Sequence, residues 1–221
     1  MLYPCACHNI DTLLGGGFPT GAISHVFGEP GSGKTTAAIQ LAINVIRFDK
    51  RVLFIAADQF SADRFAQIAG ADAISLSHKL LVFEVSSFAQ QRVTLGRVKR
   101  VARENVGLIC LDTATTHYRL EQSKDTEGTL RHELASQLLL LLGLARKYDL
   151  AVLVTNQIYV NGATAEIMPV AGYLIDNLSS IVLQFAKSER GRGCATLKKH
   201  PTPPSDVSAN FKITGHGLTN V

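Results

Sequence analysis

Nine consecutive residues, Gly28-Glu29-Pro30-Gly31-Ser32-Gly33-Lys34-Thr35-Thr36, have the types needed to hold a polyphosphate. They fit the spacing G-x-x-x-x-G-K-[ST] of the phosphate-binding loop. Glycines allow the positive φ angles that turn several backbone N–H groups inward around an anion. Lys34 can reach the β- and γ-phosphates of a nucleoside triphosphate, and the Thr35 hydroxyl can ligate Mg²⁺. A helix starting here would aim its N-terminal N–H groups and its dipole at the same anion.

Such a loop works only between a strand and a helix, and the flanking residues supply both. Ala22–Phe27 reads as a buried strand. Thr36–Phe48 carries Ile39, Ala42, Ile43 and Ile46 at helical spacing. Further along, three apolar runs end in polar side chains that could face the loop. Strand Arg51–Ala57 runs into Asp58, strand Gly107–Asp112 ends in its aspartate, and strand Ala151–Gln157 ends in two amides, Asn156 and Gln157. A carboxylate at a strand tip beside a phosphate loop holds Mg²⁺, usually through water, and Asp112 is the candidate. An aspartate also ends many strands for ordinary turn reasons, so the loop upstream is what gives Asp112 this meaning.

The remaining segments fill out an alternating pattern. Ala62–Ala69 reads as a short helix, Leu80–Val85 as a strand and Phe88–Asn105 as an amphipathic helix with a basic face, which is most simply a solvated surface. Thr113–Thr126 and Ile158–Gly172 read as polar loops, and Glu127–Lys147 as a long helix with leucines at 130, 134, 138, 141 and 142. Ser180–Lys187, Gly193–His200 and Val207–Ile213 alternate and are split by Gly and Pro, as antiparallel strands are. The expected fold is α/β: a mostly parallel sheet with helices on both faces, a C-terminal antiparallel extension, and one domain over residues 1–221. Ligands then bind at the carboxyl ends of the strands, where Asp58, Asp112 and Gln157 converge on the phosphate loop.

Composition narrows the class. Hydrophobic residues make up 46% and charged residues 18%, which suits a globular core rather than a disordered chain. A net charge of +4 permits nucleic acid binding without requiring it. Cys5 and Cys7 are too close for a zinc knuckle, and with Cys110 and Cys194 they read as reduced thiols. No secretion signal is visible, and the longest apolar run, Leu138–Leu144, falls short of the roughly 20 residues a membrane span needs. A cytoplasmic protein without membrane contact is expected.

Leu13-Leu14-Gly15-Gly16-Gly17-Phe18, the phosphate loop with the preceding Val26-Phe27, Leu111-Asp112-Thr113-Ala114-Thr115-Thr116-His117-Tyr118-Arg119, and Leu153-Val154-Thr155-Asn156-Gln157 together resemble the RecA/RadA recombinase family. The resemblance covers nearly the whole chain and is strongest to archaeal paralogues that lack the N-terminal helical DNA-binding domain. It implies a RecA-like P-loop core that binds ATP with Mg²⁺ through Gly28–Thr36, with Thr35 and Asp112 at the metal. It places Arg64 over the adenine and Gln157 as the sensor of the γ-phosphate. Asp58 stands where the family has the glutamate that polarises the attacking water. Aspartate is one methylene shorter, so weak ATP hydrolysis at most is expected. The loops after Asp112 and Gln157 match the two DNA-binding loops, making His117, Tyr118 and Arg119 candidates for single-stranded DNA. Lys198 and His200 occupy the place from which relatives reach into a neighbouring subunit's ATP site, which implies a head-to-tail homo-oligomer. The family's Phe-x-x-Ala polymerisation motif has no counterpart in Met1–Gly21. The resemblance therefore implies a recombination and repair protein that acts as a paralogue or mediator, with little strand exchange. Its partner would be a RadA-type recombinase or a DNA-processing nuclease. The alternatives are a DNA-dependent strand-exchange ATPase and a KaiC-like regulatory ATPase that does not act on DNA.

Overall fold

The computed structural model describes residues 1–122, 125, 128–160, 167–202 and 205–221. The first elements are β1 (Leu2–Tyr3), α1 (His8–Leu13), β2 (Phe18–Pro19), β3 (Ile23–Gly28) and α2 (Lys34–Arg47). There follow β4 (Arg51–Ala56), α3 (Ala62–Ala69), α4 (Ala73–Ser77), β5 (Leu80–Glu84), α5 (Phe88–Val101) and β6 (Val106–Asp112). The middle of the chain contains α6 (Thr116–Gln122), α7 (Thr129–Tyr148), β7 (Ala151–Asn156), β8 (Ile158–Val160), β9 (Ile167–Pro169) and α8 (Gly172–Leu178). It closes with β10 (Ile181–Lys187), β11 (Arg192–Lys199), β12 (Ser208–Thr214) and β13 (Gly217–Asn220).

Nine strands form one sheet in the order β13-β12-β11-β10-β3-β7-β6-β4-β5. From β10 to β5 all neighbours are parallel, and β10 to β13 form an antiparallel extension. Every residue of β3, β6 and β7 is buried, as a parallel strand covered on both faces requires. Alternate side chains enter two cores. Val26, Phe54, Cys110 and Leu153 pack with α2, while Ile23, Ile55, Ile109 and Val152 pack with α5 and α7. The result is three layers, with the phosphate-loop helix on one face and the leucine-rich helix on the other.

Several segments differ from the sequence expectation. Residues 113–126 are not all loop: Thr116–Gln122 is helical, begun by the Thr113 hydroxyl, which accepts from the Thr116 N–H at 3.3 Å. One inward residue per two turns is too sparse a pattern to see in so polar a stretch. Residues 158–172 contain the β8–β9 hairpin and lead into α8, and β13 adds a further strand. That last strand is held by Gln40 of α2, whose amide accepts from Leu218 N at 2.6 Å and donates to Leu218 O at 3.0 Å. Helix α5 ends at Val101 rather than Asn105. Glu127 and residues 161–166 lie outside the described residues. All four cysteines are free thiols, and no described helix is long and apolar enough to cross a membrane.

Candidate functional site

The loop between β3 and α2 takes the conformation that its glycines permit. Gly31 and Gly33 have φ of 77° and 98°, and Gly33 caps α2 from the left-handed region. Gly28 is glycine for a different reason: a Cβ there would lie 2.1 Å from the Phe185 carbonyl oxygen of the neighbouring β10. Glu29 braces the loop against the same strand, its carboxylate accepting from the Lys187 N–H at 2.7 Å. Lys34 is buried, and its Nζ donates to the Gly28 and Glu29 carbonyls, each at 2.8 Å. Burial lowers its pKa, and the nearby Asp112 and Glu29 charges raise it. The Ser32 hydroxyl is buried with no partner among the described residues. An ammonium held by backbone carbonyls and an orphaned hydroxyl, in a glycine-shaped loop before a helix, fit a phosphate.

Across the strand tips, Thr35, Asp58, Gln59, Ser61, Asp112 and Thr113 line a small cavity of about 60 Å³. Asp112 pairs with Ala56 in register, and its carbonyl accepts from Ala57 N at 2.8 Å, which sets Asp58 beside it. The Asp112 carboxylate accepts from the Thr155 hydroxyl, and Thr35 lines the same cavity. Burial pushes the Asp112 carboxyl above the usual carboxylate range, against the opposing pull of Thr155, Thr35 and Lys34; Asp58 adds to the rise. A buried carboxylate facing a threonine hydroxyl is a donor set suited to Mg²⁺.

Gln157 is not in that cavity but is connected to it. Its Nε2 donates to the Thr116 hydroxyl at 3.2 Å, and the Thr116 and Thr113 hydroxyls lie 2.7 Å apart. Thr113 is in the cavity wall. Arg64 reaches over α3 to the β12–β13 turn, donating to Thr214 O at 2.7 Å and Gly215 O at 3.1 Å. The same hairpin contributes Ile213 and Leu218 beside Gly33, so Arg64 is bonded to a hairpin that packs on the phosphate loop.

The three candidates from the first loop differ in exposure. Tyr118 is 4% exposed and packs edge-on to Phe88 at 5.7 Å, in the core beneath α5 and α7. Its ring faces are packed in that core, while the residue also forms part of the wall of the cleft at Arg119. His117 is half-buried, with Nε2 2.9 Å from the Val85 carbonyl. Arg119 is exposed and lines a cleft of about 600 Å³ with Tyr118, Gln122, Arg131, Tyr159, Met168 and Tyr173. Sequence reading missed Tyr159 and Tyr173, which are 42% and 76% exposed. The large ring in a polar, glycine-containing segment was the available signal. It also missed Asn156, fully buried, which accepts from the Thr115 hydroxyl and donates to Val170 O at 2.8 Å, joining the two loop regions.

Lys198 and His200 lie far from their own phosphate loop. Lys199 pairs with Val182 near the start of β10, whereas Phe185, further along β10, pairs with Gly28. Lys198 makes an exposed ion pair with Asp206 at 2.8 Å, and His200 Nδ1 accepts from Thr202 N at 3.0 Å.

A parallel sheet whose central strand feeds a phosphate loop, with a buried strand-end aspartate and a linked strand-end glutamine at the same edge, defines a RecA-like P-loop core. Comparison with known proteins narrows the class: the family model described as Rad51 matches residues 3–221, and the chain belongs to that family. It is 37% identical to the DNA repair and recombination protein RadB of Methanococcoides burtonii over 96% of this chain and 95% of that one. It is 36% identical to the RadB of Archaeoglobus fulgidus over 99% of this chain and 98% of that one. A solved structure described as the crystal structure of the RadB recombinase superposes over 100% of both chains with a TM-score of 0.89 and 31% sequence identity.

Proposed function

We propose that the protein is an ATP- and DNA-binding member of homologous recombination and DNA repair, acting as a recombinase paralogue or mediator in which ATP serves mainly as a conformational ligand. The observation that carries this reading is the connection from the small cavity through Thr113, Thr116 and Gln157 to the segments that line the large cleft. The relatives described as repair and recombination proteins supply the biological setting.

In this reading the loop N–H groups and Lys34 hold the β- and γ-phosphates, and Arg64 faces the adenine. Thr35 and Asp112 would hold Mg²⁺, which would offset the charge of the triphosphate. Gln157 senses the γ-phosphate. Asp58 is the base that orients water, and its short side chain keeps turnover slow. Asp58→Glu is expected to raise the steady-state ATPase rate, measured by phosphate release. An unchanged rate would show that carboxylate reach is not what limits hydrolysis.

Single-stranded DNA is assigned to the cleft, with Arg119 and Arg131 at phosphates and Tyr159 and Tyr173 stacking on bases. Aromatic stacking contributes roughly 1–3 kcal/mol per base and tolerates any sequence. A Tyr159→Ala, Tyr173→Ala variant should therefore bind a labelled oligonucleotide about tenfold or more weakly by fluorescence anisotropy. Binding in the parent should weaken steeply with salt, as counterion release dictates. Parent-like affinity in the double variant would remove the cleft from the DNA site. Lys198 and His200 are assigned to a neighbour's nucleotide site in a head-to-tail assembly, a heterologous contact. A protein that remains monomeric at high concentration with ATP and DNA would refute that assignment.

A further inference from the structure

The strand that carries the phosphate loop also carries a buried imidazole that the nucleotide site does not use. His25 lies three residues before Gly28 on β3 and is 0% exposed. Its Nδ1 is 2.7 Å from the Asp176 carboxylate of α8. Its Nε2 is buried and has no partner among the described residues. Asp176 is held from a third element as well, its carbonyl accepting from Lys199 Nζ at 2.7 Å.

Helix α8 directly follows the second loop, and the junction is tightly built. Val170 is fixed to the strand tip, its N–H donating to Gln157 O at 3.0 Å and its carbonyl accepting from Asn156 at 2.8 Å. Ala171 then takes φ 50° and ψ 27°, a left-handed conformation sparsely populated by residues with a side chain. At Gly172 a Cβ would lie 2.3 Å from the Pro169 ring. The end of the loop is thus held at the strand tip on one side and by Asp176 on the other, with a strained residue between.

We propose that His25 and Asp176 form a positioning latch that couples the phosphate-loop strand to the second loop through α8. A shift of β3 on nucleotide binding either carries α8 with it or leaves a second buried imidazole nitrogen unpaired, which is costly. Ala171 is where the chain can relax when α8 moves, re-aiming β8 and β9. The inference rests on the nucleotide reading of the loop but not on DNA binding.

Amide hydrogen exchange with and without the nonhydrolysable analogue AMP-PNP and Mg²⁺ tests it. In the parent, nucleotide should change the protection of both α2 and the segments 158–160 and 167–170. In Asp176→Ala the α2 change should persist and the second-loop change should vanish. Asp176→Asn, which keeps an acceptor for the Nδ1 hydrogen, should restore it, a rescue that a loss of packing would not give. If Asp176→Ala does not fold, His25→Leu removes the same bond without leaving an unpaired nitrogen and is measured instead. A second-loop response in the bond-deficient variant equal to the parent's, or none in the parent, overturns the latch. Absent DNA binding would instead remove the DNA part of the proposed function and leave this result standing.

Discussion

Lys34→Ala is expected to lower the affinity for Mg²⁺-ATP by at least about a hundredfold, since hydrogen bonds to charged groups contribute roughly 1.5–3 kcal/mol each and the ammonium can reach two phosphates. The fold should tolerate the change. In the protein described here Lys34 donates to two backbone carbonyls of its own loop, and burial already disfavours its charge. The Glu29 carbonyl is only partly buried, so water can replace the amine there. Calorimetric titration should show the loss of binding while thermal unfolding shifts by only a few degrees, as expected for about 1 kcal/mol or less. A folded Lys34→Ala protein with parent-like ATP affinity would contradict the nucleotide site outright.

Tyr118→Ala is expected to act on stability. Truncation of a buried aromatic side chain costs about 3–5 kcal/mol. Tyr118 is as buried as core residues of that kind and packs against Phe88 in the layer formed by α5 and α7. Urea denaturation should show a lower midpoint for Tyr118→Ala, with Tyr118→Phe close to the parent. Arg119→Ala, at an exposed position of the same helix, should leave the midpoint unchanged and weaken oligonucleotide binding. A Tyr118→Ala protein as stable as the parent would contradict the packing and return the ring to the loop.

The contrast between these neighbours shows what the sequence could convey. The phosphate loop was legible because each residue type answers a local demand: positive φ at Gly31 and Gly33, close approach at Gly28, charge at Lys34. The parallel strands were legible because burial on both faces leaves continuous apolar runs in β4, β6 and β7. The burial of Tyr118 was not legible because a seven-residue helix that buries one side chain gives no periodicity to detect. Helix α8 and strand β13 were hidden for a related reason. Their places are fixed by distant partners, His25 for Asp176 and Gln40 for Leu218, and such pairings leave no trace in local spacing. Asn156 was visible only as a polar residue ending a strand; its bonds to Thr115 and Val170 give it meaning, and both depend on the completed sheet.

In the proposed function, nucleotide sets the loop cleft for DNA while hydrolysis stays slow. It is tested most directly by measuring ATP turnover as single-stranded DNA is titrated in, beside the DNA affinity with AMP-PNP and without nucleotide. Tighter DNA binding with the analogue is expected, together with slow turnover that DNA stimulates little. Brisk DNA-stimulated hydrolysis, or DNA affinity indifferent to nucleotide, would contradict it.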